Sequence, residues 1–171
     1  MSSTVRLNLG CGGDVREGFQ NLDLHSNAPG VTRGDVRKLD LEFQDGSVDE
    51  IVAQDILEHM SHREVHDVLA MWCRLLKPGG TIEIRVPDIE KQIDCYLEGP
   101  WDLAIFNHMV YAGQEHPGNY HCCCFHMMAL QEALEKNGVD VVEGKYMHNG
   151  INGDIKTSNN PNLWVKGVKR A

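Results

Sequence analysis

Val5–Leu9 runs straight into Gly10-Cys11-Gly12-Gly13, and this junction constrains the chain more than any other stretch. A strand that opens on glycines lets backbone approach a ligand where a side chain would block it, and it allows a turn with positive φ. The rest of the chain repeats the plan of apolar, β-branched segments followed by helical patterns. That alternation predicts an α/β fold with a mostly parallel sheet. Further strands are read at Phe19–Leu24, Gly30–Arg33, Val48–Ala53 (after the turn Asp45-Gly46-Ser47) and Thr81–Val86, the last ending in Pro87.

Ser61 and Glu64 predict a capping box, with Val65, Val68, Leu69, Trp72 and Leu76 on one helical face and Lys77-Pro78-Gly79-Gly80 as the stop. Helical patterns resume through Ile89–Leu97, break at Gly99-Pro100, and continue over Trp101–Tyr111. After the loop Gly113–His121, a last helix spans about Met127–Lys136 and closes at Asn137-Gly138. Val139–Tyr146 and Leu163–Lys169 predict an antiparallel hairpin around a long polar loop. Parallel strands need a crossover of a dozen or more residues. The stretches after Cys11 and after Leu24 are too short for a helix, so the first two crossovers are read as loops. One sheet face is then expected to be apolar and poorly covered, and to pair with a second copy of the chain.

A length of 171 residues predicts one domain over 1–171. A net charge of −9 argues against nucleic-acid phosphate as the main partner. Lys166, Lys169 and Arg170 read as a solvated strand edge. No apolar run suits a membrane span and the first residues lack a signal peptide's pattern, so a cytoplasmic location with six reduced cysteines is expected.

A dinucleotide fingerprint needs a third glycine and a following helix. Val15 takes that glycine's place and no helix fits, which disfavours hydride transfer. Asp23 ends the second strand, where a carboxylate can accept the hydroxyls of a ribose. Standing alone it would read as a solvated strand-end acid.

Leu7-Asn8-Leu9-Gly10-Cys11-Gly12, Asn21-Leu22-Asp23-Leu24, Asp45-Gly46-Ser47-Val48-Asp49-Glu50-Ile51, Leu57-Glu58-His59-Met60 and Arg74-Leu75-Leu76-Lys77-Pro78-Gly79-Gly80-Thr81 carry a resemblance. In that order and spacing the chain resembles class I S-adenosylmethionine-dependent methyltransferases, in particular a small bacterial branch found beside sugar and polysaccharide enzymes. Tyr111–Gly118 and Tyr120-His121 match more loosely. The resemblance implies a Rossmann-like methyltransferase fold with a seven-stranded sheet. It implies that Gly10, Cys11 and Gly12 line the methionine part of S-adenosylmethionine and that Asp23 holds the ribose. Leu24, Asp35 and Val36 would surround the adenine, while Gln54, Asp55 and Leu57 face the sulfonium. Asn8 stands where many members carry an acid, and Asp14 replaces a glycine. Asn8 is expected to hydrogen-bond the cofactor's amino group.

Methyl transfer to a hydroxyl needs alignment and a base near neutral pKa. His59, His116 and His121 are the candidates, with His116, His121 and Tyr120 preferred as the acceptor-side group. For any one histidine a structural or exposed role is the commoner one. His116, His121, Cys122, Cys124 and His126 lie in one window, but paired metal knuckles are missing, and no metal is expected. The expected acceptor is a small or sugar-containing molecule. The competing reading is a non-catalytic methyltransferase-like module that acts through a partner chain.

Overall fold

Alternation along the strands sorts their side chains into two unlike sets, and that sorting builds the molecule. In the computed structural model, which describes residues 4–147 and 161–171, seven strands form one sheet. They are β1 (Arg6–Leu9), β2 (Gln20–Asp23), β3 (Val31–Arg33), β4 (Val48–Gln54), β5 (Leu76–Pro87), β6 (Val139–Met147) and β7 (Asn162–Lys169). Their order is β3-β2-β1-β4-β5-β7-β6. The first five pair in parallel, and β7 runs antiparallel between β5 and β6. The expected α/β sheet with its antiparallel C-terminal hairpin is therefore present. The polar loop expected within that hairpin lies at 148–160, outside the described residues.

Leu7, Leu9, Ile51, Ala53, Ile82, Ile84, Leu163 and Val165 point to one face and are fully buried. They share a core with Val65, Leu69, Trp72 and Leu75 of α1 (Val65–Leu75) and with Leu130 and Leu134 of α4 (Met127–Lys136). Each Leu, Ile or Val side chain so taken from water contributes about 1.5–3 kcal/mol. A 3₁₀ segment, Val36–Leu41, leads from β3 toward β4, and the Trp72 indole donates to the Val36 carbonyl at 2.8 Å. That segment was not expected. The links from β1 to β2 and from β2 to β3 hold turns and no helix, as the spacing required.

The opposite face corrects an expectation. It carries Arg6, Glu50, Glu83 and Lys166, not an apolar surface, and these pair as Arg6–Glu50 (3.3 Å) and Lys166–Glu83 (2.8 Å). Lys145 adds a cation–π contact over Trp164 at 4.2 Å. Sheets with one wet face show this polar alternation.

Two local corrections belong to α1. Glu64 accepts from the Ser61 amide at 3.2 Å, but the Ser61 hydroxyl accepts from Arg63, and the helix begins at Val65. At its other end Leu76 already pairs with Val48, and Thr81 pairs with Glu50. Lys77-Pro78-Gly79-Gly80 is therefore a bulged excursion within β5. Beyond β5 follow α2 (Ile89–Leu97) and α3 (Leu103–Tyr111), with Asp88 and Asp102 capping through their carboxylates. All six cysteines are free thiols. Among the described residues no helix is long and apolar enough to cross a membrane.

Candidate active site

The carboxyl end of β1 is shaped by a close approach. Gly10 has φ +62°, and a Cβ there would overlap the side chain of Ile56. Gly12, at φ +55°, donates its N–H to Asp23 Oδ2 at 2.9 Å. Oδ1 of the same carboxylate accepts from the amides of His25 (2.8 Å) and Ser26 (2.7 Å). Burial works against this charge, but the three backbone donors prevail and hold the carboxyl below its ordinary pKa. A carboxylate has about four lone-pair positions. The three backbone bonds leave one for a ligand hydroxyl, fewer than the two-hydroxyl grip expected of Asp23.

From this turn a cleft extends both ways. One end is a 310 Å³ cavity lined by Gly10, Asp23, Leu24, Asp35, Val36 and His59. The other is a 330 Å³ cavity lined by Asp55, Glu58, His59, His108, His121 and Asn162. Gly12 and Asp55 lie on the stretch between them. His59 borders both cavities. Asp35 is held charged by the Arg37 guanidinium, at 2.8 Å from both its oxygens.

Asp55 closes β4 with φ +53°, a left-handed conformation that costs an L-residue about 1–2 kcal/mol. Its carboxylate is tied to the Arg85 guanidinium, and its amide donates to the Arg85 carbonyl at 2.8 Å. The next turn presents Glu58 and His59. The amides of Cys122 and Cys123 donate to the Glu58 carbonyl at 2.8 and 3.3 Å, which docks the His121 segment onto this turn. The His59 and His121 rings are 4.9 Å apart and nearly perpendicular, and His121 Nε2 lies 4.0 Å from Glu58 Oε1. Burial, and for His59 the adjacent His121, lowers both imidazole pKa values, so both rings are neutral at pH 7. Burial also pushes the Glu58 carboxyl up to about 8.

The structure thus brings together Gly10, Gly12, Asp23, Leu24, Asp35, Val36, Asp55, His59 and His121 along one cleft. Others fall elsewhere. Asn8 is buried under the sheet's polar face, with its amide nitrogen spent on Asp14 O (2.7 Å) and Asn21 Oδ1 (2.9 Å), so it braces the loop instead of facing the cofactor end. Cys11 lies buried, its thiol raised in pKa by burial and by Asp23, and it borders neither cavity. Gln54 points away by strand alternation. Leu57 is wholly within the core, because its 3₁₀ turn directs Glu58 and His59 to the cleft. His116 is separated from His121. It sits 5.8 Å from His25, accepts from the Gly118 amide at 3.2 Å, and borders the Asp23 end of the cleft. Tyr120 borders the cavity of Asp23 and Asp35.

Residue-by-residue reading assigned no role to Glu58, His108 or Asn162. For Glu58 the signal was an acid between Leu57 and Met60, both of which are buried. His108 and Asn162 come from α3 and β7, and only the fold brings them here.

Residues 10–84 match a family model described as a methyltransferase domain. The fold is shared with solved structures of low sequence identity. A Methanosarcina mazei S-adenosylmethionine-dependent methyltransferase has a TM-score of 0.66 at 16% identity, covering 99% of this chain and 94% of that one. An Archaeoglobus fulgidus S-adenosylmethionine-dependent methyltransferase has a TM-score of 0.64 at 14% identity, over 98% and 87%. The Burkholderia thailandensis 1,6-didemethyltoxoflavin-N1-methyltransferase, solved with 1,6-didemethyltoxoflavin and S-adenosylhomocysteine, has a TM-score of 0.63 at 17% identity, over 98% and 71%. No curated relative matches the chain. The chain has the Rossmann-like methyltransferase fold.

Proposed function

We propose that this protein transfers a methyl group from S-adenosylmethionine to an oxygen of a small or sugar-containing acceptor. The observation that carries the reading is that His59 borders both the Asp23 cavity and the His121 cavity. The residues suit the cofactor. Gly10 and Gly12 leave the turn without side chains, and Asp23 keeps one lone pair for a ribose hydroxyl. Leu24, Asp35 and Val36 would flank the adenine. When bound, S-adenosylmethionine supplies a methyl group on a sulfonium, a strong leaving group.

The chain's own task is then to align the acceptor and remove its proton. His59 and His121 are neutral at pH 7, and either can receive the hydroxyl proton. Reduced cysteines and a charge of −9 support a cytoplasmic protein that does not act on nucleic acid. The sugar-containing class of acceptor rests on the resemblance alone.

Calorimetric titration with S-adenosylhomocysteine tests this reading. Binding to the intact protein is expected, weakened roughly 10- to 100-fold by Asp23→Ala, as the loss of a hydrogen bond to a charged acceptor implies. An intact protein that binds no S-adenosylhomocysteine would overturn it.

A further inference from the structure

We propose that Glu58, His59 and His121 form a site for one divalent first-row transition-metal ion, with an open coordination position facing the acceptor cavity. One donor atom from each residue lies within 4.8 Å of the other two. All three residues line the 330 Å³ cavity, so a ligand entering it meets the site directly.

The polar groups are left in need of such an ion. The Glu58 side chain is only 3% exposed, yet neither carboxyl oxygen has a hydrogen-bond partner. Nδ1 of His59 is likewise buried without a partner. Unpaired buried polar atoms are costly, and native structures retain few of them. A single cation satisfies all three. Asp55 adds its negative field to each of the three groups.

The surroundings fit metal ligation. Backbone groups of Tyr120 and Gly118 beside His59, and of Met109 and Val110 beside His121, favour the charged form of each ring. Outer-shell groups of this kind tune ligating imidazoles. Two imidazoles and a carboxylate suit zinc, cobalt, iron(II) or manganese, whereas magnesium and calcium prefer all-oxygen sites. Bonds of roughly 2.0–2.2 Å require the donors to close by about 1 Å. The neighbouring thiols are turned elsewhere, Cys122 toward the Tyr120 carbonyl and Cys123 toward those of Leu57 and Glu58. Among the described residues this is the one such cluster.

What the ion does there rests on the proposed methyl transfer; its binding does not. An ion at this position lowers the pKa of an acceptor hydroxyl; with it bound, His59 and His121 serve as ligands, and the proton they would take in the metal-free protein goes elsewhere. The acceptor O–H bond breaks and its proton passes to water. The O–C bond forms, and sulfur keeps the electron pair of the broken C–S bond.

The test uses full-length protein freed of metal by a chelator and titrated with Co²⁺, read by calorimetry and visible absorption. One equivalent is expected, with d–d bands and no sulfur-to-cobalt charge transfer. His59→Ala, His121→Ala and Glu58→Gln are each expected to weaken Co²⁺ at least about tenfold. His116→Ala leaves it unchanged, and Mg²⁺ does not compete. Far-ultraviolet circular dichroism reports that each variant is folded, and S-adenosylhomocysteine binding is measured on the intact protein. The inference is overturned by the lack of a stoichiometric site, by affinity indifferent to all three substitutions, or by a thiolate charge-transfer band. Cobalt binding without S-adenosylhomocysteine binding supports the metal site and sinks the methyltransferase reading alone. The reverse result sinks the metal site alone.

Discussion

A carboxyl buried without a hydrogen-bond partner is expensive in the folded protein, and the cost depends on pH. Below the ordinary Glu value of 4.5 the Glu58 carboxyl is neutral in both folded and unfolded chains. Between 4.5 and about 8 only the unfolded chain gives up this proton, so the folded state loses stability as pH rises through that window. The metal-free Glu58→Gln variant lacks this penalty. It is expected to match the wild type near about pH 4.5 and to exceed it by a few kcal/mol at about pH 8. Urea denaturation of both proteins at the two pH values checks this; a stability difference that does not change with pH contradicts it. The same residue shows what one-dimensional reading misses. Asp23 was legible because a strand end and a glycine turn flank it. Glu58 was not, because its isolation arises only when the Cys122–Cys123 backbone docks on its carbonyl. Asn8 misled for a related reason: its partner Asn21 sits on the neighbouring strand.

Among the elements, β5 departs most from its sequence pattern. Lys77-Pro78-Gly79-Gly80 carries a helix stop, and α1 does end just before it, but the strand pairing begins at Leu76. The excursion is held by tertiary contacts. Asp49 accepts from Lys77 Nζ at 2.6 Å and from the Val5 amide at 2.7 Å, tying it to the start of β1. A Cβ on Gly80 would lie 2.9 Å from the Lys77 carbonyl, 3.1 Å from that of Asp49 and 3.2 Å from that of Val48. All three are backbone atoms, which yield less readily than the end of a flexible side chain. Gly80→Ala is therefore expected to lower stability by about 1–3 kcal/mol, as overpacking does. Gly79, at φ +77° with open space around it, should lose only the about 1 kcal/mol of its backbone conformation when changed to Ala. Chemical denaturation of the two variants checks the ranking, and equal effects would refute it. Strands and helices marked by alternation and caps were legible to within a few residues. The 3₁₀ segment and the bulge were not, since Trp72 and Asp49 set them from far along the chain.

For the molecule as a whole, the question is which surface seeks a partner. The missing crossover helices pointed to the open sheet face, but that face is laced with the Arg6–Glu50 and Lys166–Glu83 pairs. The apolar surface lies instead on α2 and α3. No residue of α3 is buried, although Leu103, Ala104, Ile105, Phe106, Met109 and Val110 make it strongly apolar. Leu97 is 70% exposed, Leu103 57% and Ile105 43%. The stacked rings of Tyr96 and Phe106, 4.8 Å apart, join the two helices. A contiguous apolar patch of this kind marks an interaction surface. A stable pairing needs about 800 Å² from each partner. We propose that the second copy expected from the sequence docks on α2–α3 and not on the sheet face, beside the cavity that His108 and Met109 of α3 line. Light scattering is expected to give twice the 19.2 kDa chain mass. Leu103→Glu combined with Ile105→Glu should return the protein to that mass while S-adenosylhomocysteine binding persists, because two charges cannot be buried unpaired at a symmetric contact. A wild type that scatters as a single chain at about millimolar concentration, where even weak pairings of about 4 kcal/mol are populated, would remove the dimer.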